Sequence, residues 1–275
     1  MLTDVWGAFL DILPGEWDIF KERFIWSFLL QGLWLSVKIA AFSILLSLLV
    51  GIAMAVGRLA PSRFIRWPAT VYVEAFRAIP LLLLILYVFF GAGRVDASWV
   101  GNIPLLGGIL VDSQGHLERI PAVIIALSLY NSAVVAEIVR AGILSISKGV
   151  IEAARCLGLS YLQTMQSVAV PMALRRMAPG LVSQLITLFK DTSLASVISV
   201  LELLRRGRIL YETPAYTLSY SHGSGITIEV LTVVALMYFI PCYLLSLIAQ
   251  RLETGGAGVA QKRERGRVLR FLLRG

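Results

Sequence analysis

Five long apolar runs alternate with polar stretches along this chain. They lie at about 34–57 (WLSVKIAAFSILLSLLVGIAMAVG), 69–93 (built on IPLLLLILYVFFGAG), 120–143, 177–200 and 225–250. Each reaches about the 20 residues that a helix needs to cross the hydrocarbon of a bilayer. Irregular backbone cannot face lipid, so each run predicts a spanning helix. The sequence nowhere shows the period-two alternation of an outer-membrane barrel. The pattern therefore predicts an all-α fold, a polytopic membrane protein with five transmembrane helices. Residues 144–176, between the third and fourth runs, are too polar and interrupted to cross lipid. Loops of that length in a compact unit usually carry function.

Composition supports the membrane reading. Hydrophobic residues make up 57% and charged residues 15% of the 275, against roughly 45–50% and roughly 25% in globular domains. So few charges cannot cover a water-facing surface. Disordered, collagen-like and disulfide-scaffold classes are excluded on the same ground. The net charge of +8 does not indicate nucleic-acid binding, because excess Lys and Arg in a membrane protein marks its cytoplasmic loops. Two cysteines, Cys156 and Cys242, make no disulfide framework, and His116 and His222 have no metal-ligand spacing. No metal site and no cofactor are expected. The N-terminus is acidic and lacks the basic start of a signal peptide, so the first apolar run is expected to remain as an anchor.

The distribution of basic residues sets an orientation. With the N-terminus outside, the inner segments hold Arg58, Arg63 and Arg66, then Arg140, Lys148, Arg155, Arg175 and Arg176, then the tail from Arg251 to Arg274. That is fifteen basic residues inside against seven outside, which predicts N-out, C-in. The arginines at 205, 206 and 208 run against the trend. Three regions follow: an extracytoplasmic segment 1–23, a membrane domain 24–252 and a basic cytoplasmic tail 253–275. Attraction of that tail to anionic lipid and a solubilising disordered tail are both open.

Within the polar loop, ISKGVIEAARCLGLSYLQTMQSVAVP (146–171) predicts two short helices around a glycine bend. Glu152, Ala153, Ala154 and Arg155 favour helix. Gly158 suits a C-cap with positive φ, Ser160 suits an N-cap, and Pro171 ends or bends the second helix. Ile151, Ala154 and Leu157 form one apolar stripe. The result is a compact knob that a soluble partner could dock against.

Glu152-Ala153-Ala154, Gly158 and, after nine intervening residues, Val168-Ala169-Val170-Pro171 resemble in type and spacing the EAA loop of ATP-binding-cassette importer permeases. FRAIPLLLLILYVFFG (76–91), AEIVRAGILSISKG (136–149) and ALRRMAPGLVSQLITLFKDTSLASVI (173–198) make the chain similar to the polar amino acid permease family, over about 22–252. Val150 stands where that family often has Gln, and Ser36 where it often has Thr. The resemblance implies a membrane subunit of an amino acid importer in the inner (cytoplasmic) membrane. Its partners would be ATP-binding cassette ATPase subunits, a second permease subunit (identical or paralogous) and an extracytoplasmic substrate-binding protein. Glu152, Ala153, Ala154 and Gly158 would couple the ATPase to the membrane helices.

The chain has no phosphate loop and no nucleophile, base or carboxylate pair in a plausible catalytic arrangement, so it is not expected to be an enzyme. Lys190 and Asp191 fall within the fourth apolar run, where a charge costs about 2.5–3.5 kcal/mol. With Thr192 and Ser193 they are candidates either for a pathway surface or for a buried interface network. Glu137 with Arg140, and Glu74 with Arg77, are each spaced to pair on one helix face; local structure and gating are both open for them. Three further readings compete with the leading one: a permease for an opine-like solute, an ion-coupled secondary carrier, and a non-transporting scaffold whose loop recruits a partner.

Overall fold

The computed structural model describes residues 17–92, 119–214 and 226–272. Among them the regular structure is helical, without a strand. A 3-10 turn, Asp18–Lys21, leads into α1 (Arg23–Leu59), α2 (Arg63–Ala78) and α3 (Leu81–Ala92). Then come α4 (Arg119–Leu144), α5 (Lys148–Cys156) and α6 (Tyr161–Thr164). A π-helical turn, Met165–Ala169, joins α6 to α7 (Val170–Asp191). The 3-10 turn Thr192–Ile198, α8 (Leu203–Glu212) and α9 (Thr227–Leu272) complete the order.

Among the described residues four stretches are long and apolar enough to cross a membrane: Arg23–Leu59, Arg119–Leu144, Ser167–Ile198 and Thr227–Leu252. Arg63–Ala78 with Leu81–Gly91 forms a fifth candidate, bent at a short break. Four of the five apolar runs thus coincide with single spanning helices and the second coincides with the bent pair, but their limits differ. The second run is two helices, interrupted at Ile79 and Pro80. Proline disfavours helical backbone at the residue before it, so Ile79 ends α2 and Pro80 precedes the next start. The first and fifth helices extend well past their apolar stretches, and α9 carries the basic tail on as helix to Leu272.

The loop differs more. Pro171 does not end the second short helix, because backbone winding continues from α6 through the π-helical turn into α7. Pro171 is the second residue of α7. A missing N–H is tolerated in a first turn, and the extra residue of the π turn sits immediately upstream, where such irregularities are accommodated.

The chain divides into two compact units. One comprises Met1–Leu45, Ile79–Ser128 and Leu188–Cys242. Its core gathers Phe20, Ile25, Leu29, Leu203, Leu210 and Ile226. The Trp26 indole donates to the Phe20 carbonyl at 2.8 Å, fastening the N-terminal turn to α1. The other comprises Leu46–Ala78, Leu129–Thr187 and Tyr243–Gly275. Its core is rich in small residues, among them Ala55, Ala133, Ala136, Ala169 and Ala173. Small side chains let helix backbones approach, which is how membrane helices pack without a hydrophobic drive between them. At Gly51 a Cβ would lie 2.6 Å from Val135 Cγ1 and 2.8 Å from the Ser132 carbonyl, so α1 and α4 touch backbone to backbone there.

Candidate functional site

The knob of the polar loop is built from its helix ends. α5 closes at Leu157, and the left-handed residue after it is Gly158, at φ 84°. Gly158 N donates to the Arg155 carbonyl at 3.0 Å, and Leu159 N donates to the Ala154 carbonyl at 3.4 Å. These two bonds are a Schellman motif, the closure that a positive-φ glycine allows. α6 opens with a capping box: Gln163 N donates to Ser160 Oγ at 3.3 Å, and Ser160 N donates to Gln163 Oε1 at 3.0 Å. Each end of the bend is therefore satisfied locally.

One face of the knob packs on its own unit. Ala154 and Ile146 are buried, and Val150 and Ile151 pack against the small-residue core. Arg176 donates to the carbonyl and hydroxyl of Ser145, holding the chain entering α5 against α7. The other face is open. Glu152, Ala153, Arg155 and Gly158 are exposed. Leu157 does not share the burial of Ile151 and Ala154, as its place in one stripe would predict; it is 84% exposed. Helix α5 ends at Cys156, so Leu157 leaves the helical face at the cap. Leu157 is thus a large apolar side chain left open on a knob closed by its own caps.

A second cluster lies in the same unit. Glu137 on α4 receives Arg58 from the end of α1, Arg140 at 2.9 Å from its own helix, and Arg77 at 3.5 Å from α2. Arg58 also reaches Glu74 at 3.0 Å. Glu137 and Arg140 meet as their spacing suggests. Glu74 and Arg77 turn to different partners: Glu74 to Arg58, Arg77 to Glu137. Arg58, not singled out from the sequence, is the side chain that joins the two carboxylates.

The sequence matches the family of binding-protein-dependent transport system inner membrane components over residues 47–254. The chain belongs to this family. As one of these inner membrane components it is a multi-pass membrane subunit and not an enzyme. The glutamate transport system permease protein GluD of Corynebacterium glutamicum is 34% identical over 240 residues, 87% of this chain and 79% of that protein. The Bacillus subtilis protein named "Probable glutamine ABC transporter permease protein GlnP" is 38% identical over 227 residues, 82% of this chain and 93% of its own length. A crystal structure of an amino acid ABC transporter with histidines superposes with a TM-score of 0.67 at 26% identity, covering 82% of this chain and 93% of that one.

In this inner membrane component the other candidates belong to the first unit. α7 ends at Asp191, and the tighter 3-10 turn begins at Thr192. Lys190 is exposed, Asp191 and Ser193 are half-buried, and Thr192 is buried, its hydroxyl donating to the Phe189 carbonyl at 2.7 Å. The 3-10 turn stops at Ser199, which adopts a left-handed conformation at φ 60°.

Sequence reasoning missed Glu202. It is fully buried and caps α8, accepting from Leu204 N at 2.8 Å, Arg205 N at 2.7 Å and the Tyr238 hydroxyl at 2.7 Å. Burial pushes its carboxyl above the usual range, and the bonds from Tyr238 and the two amides act against that rise. The available signal was an acid placed directly before the helix-forming stretch LLRRGR. The arginines that ran against the charge trend are occupied there. Arg206 donates to the Leu201 and Phe28 carbonyls at 3.0 Å and lies 4.6 Å from the Phe28 ring centre, while Arg205 and Arg208 reach Glu212 at 3.5 and 3.6 Å.

Proposed function

We propose that this chain is the membrane permease of an ATP-driven importer for amino acids, coupled to separate ATPase subunits through the knob at 148–164. The observation that carries the coupling reading is the knob itself. Its own caps satisfy its ends, its buried side rests on the core of its unit, and its exposed side offers Glu152, Ala153 and Leu157 to a partner. The amino acid substrate is taken from relatives named for glutamate and glutamine transport and from the amino acid transporter structure. A binding protein delivers the amino acid, a second permease subunit completes the pathway, and the termini lie N-out and C-in. Lys190, Asp191 and Ser193 face the pathway or the permease interface, and Thr192, buried behind them, holds the turn through its bond to the Phe189 carbonyl. The charged cluster on Glu137 and Glu74 acts as a latch during gating.

Vesicles reconstituted with the ATPase and binding protein test this. Glu152→Ala removes a charge-assisted contact of about 1.5–3 kcal/mol, so ATPase association weakens about ten- to a hundredfold. Gly158→Asp opens the Schellman closure, so ATP hydrolysis no longer responds to substrate delivery. Unaltered coupling in both variants defeats the knob as the coupling surface. Uptake that proceeds without ATP points to an ion-coupled carrier.

A further inference from the structure

We infer that α2 lies at a bilayer surface and binds anionic phospholipid headgroups through Arg63 and Arg66, with Phe64 and Trp67 in the upper acyl layer. The inference rests on the chain being a membrane component. α2 has 16 residues and three distinct stripes. Val73 is buried in the small-residue core, with Tyr72 and Phe76 packed against that core, and Ala69 is buried close to Gly57 of α1. Away from that face stand Phe64, 92% exposed, Trp67, 64% exposed, and Val71, 46% exposed. Their spacing of three and four residues makes one apolar line along the helix. Arg63, Arg66 and Thr70 repeat the same spacing in the adjacent line.

The arginines of the neighbouring cluster are spent on carboxylates: Arg58, Arg77 and Arg140 all reach Glu137. Arg63 and Arg66 are exposed, and among the described residues no carboxylate pairs with either. Aromatic side chains flanked by unpaired cations are the composition of a helix lying in the interface plane. Charge argues against a second copy of the chain on this line. A two-fold contact puts the same patch on both sides, so Arg63 and Arg66 of both copies would gather like charge in one contact.

The test titrates the purified full-length chain in neutral detergent with dioctanoyl phosphatidylglycerol or dioctanoyl phosphatidylcholine, counting bound lipid by native mass spectrometry. Phosphatidylglycerol should bind the more tightly. Arg63→Gln with Arg66→Gln should weaken phosphatidylglycerol about thirty-fold and leave phosphatidylcholine unchanged. Arg63→Lys with Arg66→Lys, which keeps the charge, should restore binding to within a few-fold. Phe64→Ser with Trp67→Ser should weaken both lipids. The basic tail is the same in every variant, so its contribution cancels. A folded glutamine variant, judged by its thermal midpoint, that binds phosphatidylglycerol like wild type overturns the proposal. So does a Phe64→Cys variant in a Cys-free background that crosslinks to a second copy in the bilayer. Uptake by the assembled transporter is scored separately, so failure here leaves the importer reading standing.

Discussion

At Gly158 the backbone is left-handed and a Cβ would meet nothing within 4 Å, so any penalty for a side chain comes from conformation alone. Gly149, nine positions earlier in α5, has the same open space without positive φ. The two glycines should therefore respond in opposite directions. Gly158→Ala should cost about 1–2 kcal/mol locally. Gly149→Ala should stabilise α5 by up to about 1 kcal/mol. Amide exchange across 148–164 should quicken in the first and slow in the second. Glu202 shows a different residue-scale effect. Because its folded pKa is raised, its contribution to stability is fully present below about 4.3, the ordinary glutamate value, and is lost as pH rises through the folded value. Thermal midpoints of wild type should fall across that window, and Glu202→Gln should flatten the fall. Gly158 and Ser160 were legible because capping chemistry is local. Glu202 was less so, because the Tyr238 hydroxyl that completes its site comes from 36 residues away.

Among the elements, the charged cluster joins α1, α2 and α4 through side chains that differ in exposure. Glu137 is 19% exposed and serves three arginines, whereas Glu74 is 61% exposed and serves Arg58. Neutralising Glu137 leaves several partly enclosed cations without their shared acceptor. Glu137→Gln should lower stability by about 2 kcal/mol, whereas Glu74→Gln should cost less than about 1 kcal/mol, as exposed pairs do. Thermal unfolding in detergent compares the two, and equal losses would refute the ranking. The α1–α4 crossing gives a steric counterpart. Gly51→Val has no room beside Val135 and Ser132 and should cost about 1–3 kcal/mol through overpacking, read as loss of folded protein after solubilisation. The Glu137–Arg140 spacing was visible along one helix. The gift of Arg58 to both carboxylates was not, since Arg58 lies 79 residues before Glu137 and 16 before Glu74.

For the whole molecule, the bias of Lys and Arg toward alternate segments predicts N-out, C-in. In a Cys-free background, Ser113→Cys should react with an impermeant thiol reagent from outside and Ser147→Cys only from inside; the reverse pattern refutes this topology. Ser113 lies outside the described residues. Hydrophobic length and composition by themselves determined that the chain is an all-helical membrane protein, because lipid leaves a backbone few other ways to satisfy its polar groups. Local capping residues also determined the glycine bend of the knob. Only the tertiary structure decided that the second apolar run breaks at Ile79 and Pro80, and that Pro171 lies within continued winding. It also decided that Leu157 faces outward, that Arg58 binds two acids and that Glu202 is buried. Hydropathy measures how readily each residue leaves water. Which helix lies beside which, and so which side chain finds a partner, depends on packing between segments far apart in sequence.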